Sequence, residues 1–149
     1  MVDASALGIG VYFPWRHIGY FCDLPPNPPA DSIFFYEALS VCTALHRVPA
    51  WREAGRSIFR LAVLSDNTNA VSIFNTLKAD PAYNPILISS VDVILNTGVD
   101  LRVDHVPGEF NVIADAISRR RFDLARALDP SLNLLTLTPP RDALGAVAA

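Results

Sequence analysis

Asp3, Glu37, Asp66 and Asp115 are the side chains whose type and placement could do chemistry, because carboxylates that converge in a fold make a site for a hard divalent cation. Two of them have ordinary explanations when taken singly. Asp66 precedes Asn67 at the end of an apolar run, where a turn or cap is expected, and Asp115 falls in the first turn of an expected helix, where the dipole favours an acid. Glu37 is harder to explain away. Its helical neighbours at i−3, i+4 and i+8 are Phe34, Val41 and Leu45, so its carboxylate runs along an apolar face where an unpaired charge is costly. A bound metal ion would remove that cost.

The elements that must position these acids follow from pattern and punctuation. Asp3 begins a first strand, and two β-prone stretches at 9–13 and 17–21, separated by Pro14 and Arg16, read as further strands joined by tight turns. Residues 23–31 carry Pro25, Pro26, Pro28 and Pro29 and form a stiff connection. Ser32 can cap a helix over 33–46, with Phe34, Ala38, Val41, Cys42 and Leu45 at helical spacing and Pro49 marking its end. RLAVLS at 60–65 reads as a strand covered on both faces, with Asp66 where it stops. Helices follow at 67–78 and 85–96, the second closed by Gly98, then a strand at 101–106. After Pro107-Gly108, Asn111 is a plausible cap for a last helix through Ile113, Ala114, Ile117 and Ser118, with Arg119, Arg120 and Arg121 at its C-terminal end. A strand-helix-strand step needs a parallel crossover, so this order predicts an α/β fold with a mixed sheet flanked by helices. Periodicity fades beyond 121, which divides the chain into a domain at 1–121 and a linker at 122–149 leading toward a downstream domain.

Composition narrows the class. The chain has 149 residues, 51% hydrophobic and 18% charged, which suits one globular domain and leaves no apolar run long enough for a membrane span. The start lacks a basic region and has an acid at position 3, so an intracellular setting, cytoplasmic or nuclear rather than secreted, is expected. Cys22 and Cys42 have no zinc-type spacing and read as core thiols. The net charge of −3 argues against a free-standing, high-affinity nucleic-acid binder, because such proteins neutralise phosphates with clustered Lys and Arg. Trp15 and Trp51 could stack on bases but more simply pack, and His105 reads as a structural residue beside a turn.

Four local motifs, VDASALGIGVYF, FFYEALSVCTAL, LAVLSDNTNAVSIF and HVPGEFNVIADAISR, occur in an order that resembles the ribonuclease H domain of reverse transcriptases from LTR-type and tyrosine-recombinase retrotransposons. The likeness runs from Val2 to Arg120, and NVIADAISR after a VPG turn is its most specific part. TPPRDALGA looks like the linker before an integrase or recombinase region in fungal elements. The resemblance implies an RNase H-like five-stranded mixed sheet in the order 3-2-1-4-5, with the first and fourth strands adjacent. It also implies that the family's four metal-binding acids correspond to Asp3, Glu37, Asp66 and Asp115.

The activity so implied is hydrolysis of the RNA strand of an RNA–DNA hybrid with two Mg²⁺ ions, Mn²⁺ being a possible substitute, and with a reverse transcriptase polymerase domain as partner in the parent polyprotein. Substrate contacts are expected from Ser5, Asn67, Asn69 and Arg119. Glu109 stands where a His or Lys is common in the loop before the last aspartate, which implies slow product release. The competing expectation is a catalytically inactive remnant or connector with the same fold. Another nuclease of the superfamily is a third reading, against which the VPG and NVIADAISR stretch argues.

Overall fold

A computed structural model describes residues 1–28 and 32–144. The chain opens with a meander: β1 (Val2–Ala4), β2 (Ile9–Phe13) and β3 (Ile18–Cys22) pair antiparallel, with Asp3 opposite Gly10 and Val11 opposite Tyr20. Then come α1 (Ser32–Leu45), α2 (Arg47–Glu53), β4 (Arg60–Ser65), α3 (Thr68–Thr76), α4 (Asn84–Thr97) and β5 (Asp100–His105). The step from β4 through two helices to β5 makes a parallel pair running from Arg60–Asp100 to Ser65–His105. The chain continues through α5 (Val112–Ser118), α6 (Phe122–Leu128) and β6 (Asn133–Thr136). The α/β class with a mixed sheet is therefore as expected.

The described residues form a mixed four-stranded sheet, β1-β2-β3-β6, and a separate β4-β5 pair, and no ladder among them joins β1 to β4 as the expected order 3-2-1-4-5 requires. β1 is only three residues long, and a groove of about 280 Å³, lined by Met1, Phe13, Trp15, Ile58 and Leu64 among others, lies between β2 and β4. The 122–149 segment is no linker as far as 144. α6 packs on α5, and β6 joins β3 in parallel register from Ile18–Asn133 to Phe21–Thr136. Asp129 accepts bonds from the Tyr12 hydroxyl at 2.6 Å and from His17 Nδ1 at 2.8 Å, which ties this segment to the meander. Pro49 ends no helix: α1 stops at Leu45 and Pro49 enters the first turn of α2, where its missing N–H costs nothing.

α1 is the centre of the molecule. Every side chain from Phe35 to Leu45 is buried, the mark of a helix enclosed all round, and Ser40 and Thr43 satisfy their hydroxyls on the Glu37 and Leu39 carbonyls at 2.6 and 2.7 Å. The cap expected of the Ser32 side chain, and Pro29, fall outside what the structure describes. Cys22 and Cys42 are free, buried thiols, as expected. Gly98 closes α4 at φ 67°, the left-handed position that suits glycine. β4 departs from its expected double cover: Leu61, Val63 and Ser65 point inward while Arg60 and Ala62 are exposed, because α1 and α3 cover only one face.

The meander is covered on both faces. Ile9, Val11 and Phe13 of β2 join the core under α1, whereas Tyr12 packs with Ala114 and Ile117 of α5. Gly10 sets how closely α5 approaches. A Cβ there would lie 2.3 Å from the Ala114 carbonyl oxygen and 2.8 Å from the Ser118 nitrogen. Gly10→Ala is accordingly expected to force α5 off the sheet and destabilise the fold by about 1–3 kcal/mol, as overpacking does. Thermal unfolding checks this, and an unchanged midpoint would show that α5 does not rest directly on β2.

Candidate metal centre

Asp3 sits in the middle of β1, only 5% exposed, and its Oδ2 accepts a 2.6 Å hydrogen bond from the Ser118 hydroxyl of α5. Glu37 projects from α1 over the same strand, also 5% exposed. Its carboxylate takes a hydrogen bond from the Ala4 backbone, but Oε2 is buried with no hydrogen-bond partner. Asp66 follows the last residue of β4, with Gly108 so close that an added Cβ there would stand 3.1 Å from Asp66 Oδ2. The ligand oxygens of Asp3, Glu37 and Asp66 all lie within 4.8 Å of one another.

Three carboxylates in so small a volume oppose one another's ionisation. Burial, reinforced by Asp3 and Asp66, pushes Glu37 up to about 8, against the pull of the Ala4 N–H. Burial likewise lifts Asp3 to about 6, opposed by the Ser118 hydrogen bond, with Asp66 and Asp115 adding to the rise and Arg119 reducing it. A hard cation held by oxygens at about 2.1–2.6 Å gathers ligand atoms no more than about 4–5 Å apart. The observed spread fits this, and the orphaned Glu37 oxygen supplies the unsatisfied acceptor that such an ion would take up.

Comparison of the chain with protein-family models, with curated proteins and with solved structures found no match.

Asp115 is the expected acid that stands apart. It lies in the first turn of α5, as expected, but outside the 4.8 Å cluster, and its Oδ1 accepts a 2.8 Å bond from Arg119 Nε one turn on. Two of the expected substrate contacts turn out to be internal ties. The Ser5 hydroxyl donates to the Ser118 carbonyl at 2.8 Å, and the Ser5 amide closes the β1–β2 turn on Gly8. Asn67 caps α3 by accepting from the Ala70 amide at 2.9 Å, while its own amide bonds Ser65 Oγ. Asn69 is exposed at the start of α3, and Arg119 is half-exposed beside Asp115. His105 is exposed at the end of β5, and Trp51 packs edge-on against Phe13 and Trp15 at 4.6 and 5.5 Å.

Two residues at the site have roles that sequence reading missed. Ser118 orients Asp3, and its signal was a hydroxyl on the same helix face as Ala114 and Ile117, where a polar group needs a partner. Asn111 occupies the N-cap position of α5, yet its side chain does not cap: Nδ2 donates to the Val2 carbonyl at 2.8 Å, pinning β1 from the α5 side.

Proposed function

We propose that this chain is a divalent-metal-dependent endoribonuclease of the ribonuclease H type, which hydrolyses the RNA strand of RNA–DNA hybrids during reverse transcription. The observation that carries the reading is the convergence of Asp3, Glu37 and Asp66 within 4.8 Å around a buried, unpartnered Glu37 oxygen. The three acids come from β1, α1 and the end of β4, elements remote in sequence, as expected of a built site rather than a charged surface. The side-by-side approach of Asp3 and Asp66 supports the finer fold proposal, in which the meander continues from β1 to β4 and β5 in the order 3-2-1-4-5.

Mg²⁺, or Mn²⁺ in its place, would supply Lewis-acid activation of water and neutralise charge at the departing 3′ oxygen when bound. Asp3, Glu37 and Asp66 would hold it, with Asp115 completing the set at its edge. Ser118 holds the Asp3 carboxylate in one orientation, and the Ala4 N–H does the same for Glu37. Burial of Glu37 keeps water from its carboxylate. Arg119, Arg120 and Arg121 lie at the end of α5 and would meet backbone phosphates, with a polymerase domain of the parent polyprotein supplying the rest of the grip. Among the described residues no helix is long and apolar enough to cross a membrane, and we place the activity inside the cell, in the cytoplasm or nucleus.

A second reading, an inert connector with the same fold, draws on the Arg119-bound Asp115 and on the groove between β2 and β4. Incubation of labelled hybrid with Mg²⁺ or Mn²⁺, beside RNA–RNA and DNA–DNA duplexes, separates the two. The nuclease cuts only the RNA strand of the hybrid and stops with chelator. A folded protein that is stabilised by the metal yet leaves the hybrid intact is the connector.

A further inference from the structure

We propose that Arg119 is a built-in counter-ion that masks Asp115, so that the acidic cluster takes a first divalent cation on Asp3, Glu37 and Asp66 and a second, reaching Asp115, only when the guanidinium gives way. The inference rests on the metal-centre reading above and concerns how that centre is loaded. The cluster has its own pointer to a ligand in the buried, unpartnered Glu37 Oε2.

Asp3 and Asp115 both face α5 donors, but the two donors differ in kind. Ser118 is neutral and engages only Oδ2 of Asp3, so that bond persists beside a bound cation and orients the carboxylate for it. Arg119 is a cation on the Asp115 carboxylate, 2.8 Å away at i+4, and it also acts electrostatically on Asp3 and Asp66. A guanidinium and a divalent ion repel each other and compete for the same lone pairs, so Asp115 serves one or the other. The pair is half in water, with side-chain exposures of 50% for Arg119 and 40% for Asp115, so it is weak enough to be displaced. Once released, the planar fork of Arg119 is suited to a phosphate of a bound strand, which couples loading of the second ion to the arrival of nucleic acid.

The test is calorimetric titration of the full, metal-free chain with Mn²⁺, with bound ions counted by electron paramagnetic resonance. Wild type is expected to take one ion well and a second weakly. Arg119→Ala should tighten the second by about fivefold, the scale of a lost exposed pair. Arg119→Lys, which keeps a cation able to reach Asp115, should restore the weak second site, and Asp115→Asn combined with Arg119→Ala should leave the first ion alone. Arg102→Ala removes the same charge from a side chain paired with Asp100, and should change neither. If Arg119→Ala titrates like wild type while the first ion still binds, masking is overturned and the metal centre stands. If wild type binds no ion at all, the metal-centre reading falls and this inference falls with it.

Discussion

Glu37→Gln is expected to raise the melting temperature of the metal-free protein at pH 7 by about 6 °C, an unusual sign for a change at a buried residue. The folded chain keeps a proton on Glu37 up to about pH 8, because burial and the neighbouring acids disfavour the charge, whereas the ordinary value is 4.5. Between those values the native state binds more protons than the unfolded state, so stability falls as pH rises through the interval. Asp3, lifted from 3.8 to about 6, adds a loss of the same sign lower down. Each pH unit inside the window is worth about 1.4 kcal/mol, which puts the Glu37 penalty on the order of 3 kcal/mol at pH 7. Gln keeps the shape and the acceptor for Ala4 while removing the ionisation, so about 2 kcal/mol should return, at roughly 3 °C per kcal/mol for a domain of this size.

Metal should do for the wild type what Gln does by substitution. Mn²⁺ or Mg²⁺ at a hundredfold excess over its dissociation constant stabilises by about 2.7 kcal/mol, and the Gln variant should gain much less. Scanning calorimetry of both proteins at pH 5 and pH 8, with and without metal, reads all of this at once. A Gln variant less stable than wild type in the absence of metal would mean that protein groups already satisfy the Glu37 carboxylate, and the metal centre would lose its main support.

Asp66→Asn carries the other large effect: cleavage of the RNA strand should fall at least about a hundredfold while the fold survives. Asp66 follows β4 and is half-buried, and its neighbour Asn67, not Asp66 itself, caps α3. The substitution therefore removes an anionic oxygen from the cluster without touching a cap or a core contact. Its amide still fits beside Gly108, which has no side chain to oppose it. Parallel assays of matched preparations, with thermal unfolding as the check on folding, measure the effect. Hybrid cleavage by the Asn variant within about threefold of wild type would assign the activity to something other than these acids.

Local chemistry made much of this molecule legible in advance. RLAVLS reads as a strand ending at Asp66, and β4 has those bounds. Gly98 reads as the close of a helix, and α4 stops there. Both are decided by short-range pattern and by backbone conformations that only some residues tolerate. The position of Glu37 on an apolar helix face was likewise visible, and its burial follows from that face.

The sequence by itself determined most of the elements up to 118 and the placing of Glu37 on an apolar helix face, because periodicity and turn chemistry act over a few residues. Only the tertiary structure decided what the carboxylates meet. Ser118 reaches Asp3 because Gly10 lets α5 lie directly on β2, and Asn111 leaves its capping role because β1 comes within reach of its amide. The segment from 122 to 144 looked like a linker because its short helix and four-residue strand carry little periodicity of their own. The strand is held by a partner more than a hundred residues away, through the β3 register, and the helix end by the Tyr12 and His17 bonds to Asp129. Asp115 and Asp66 show the same division: both are acids beside a helix start, and long-range packing brings one into the cluster and leaves the other paired with Arg119.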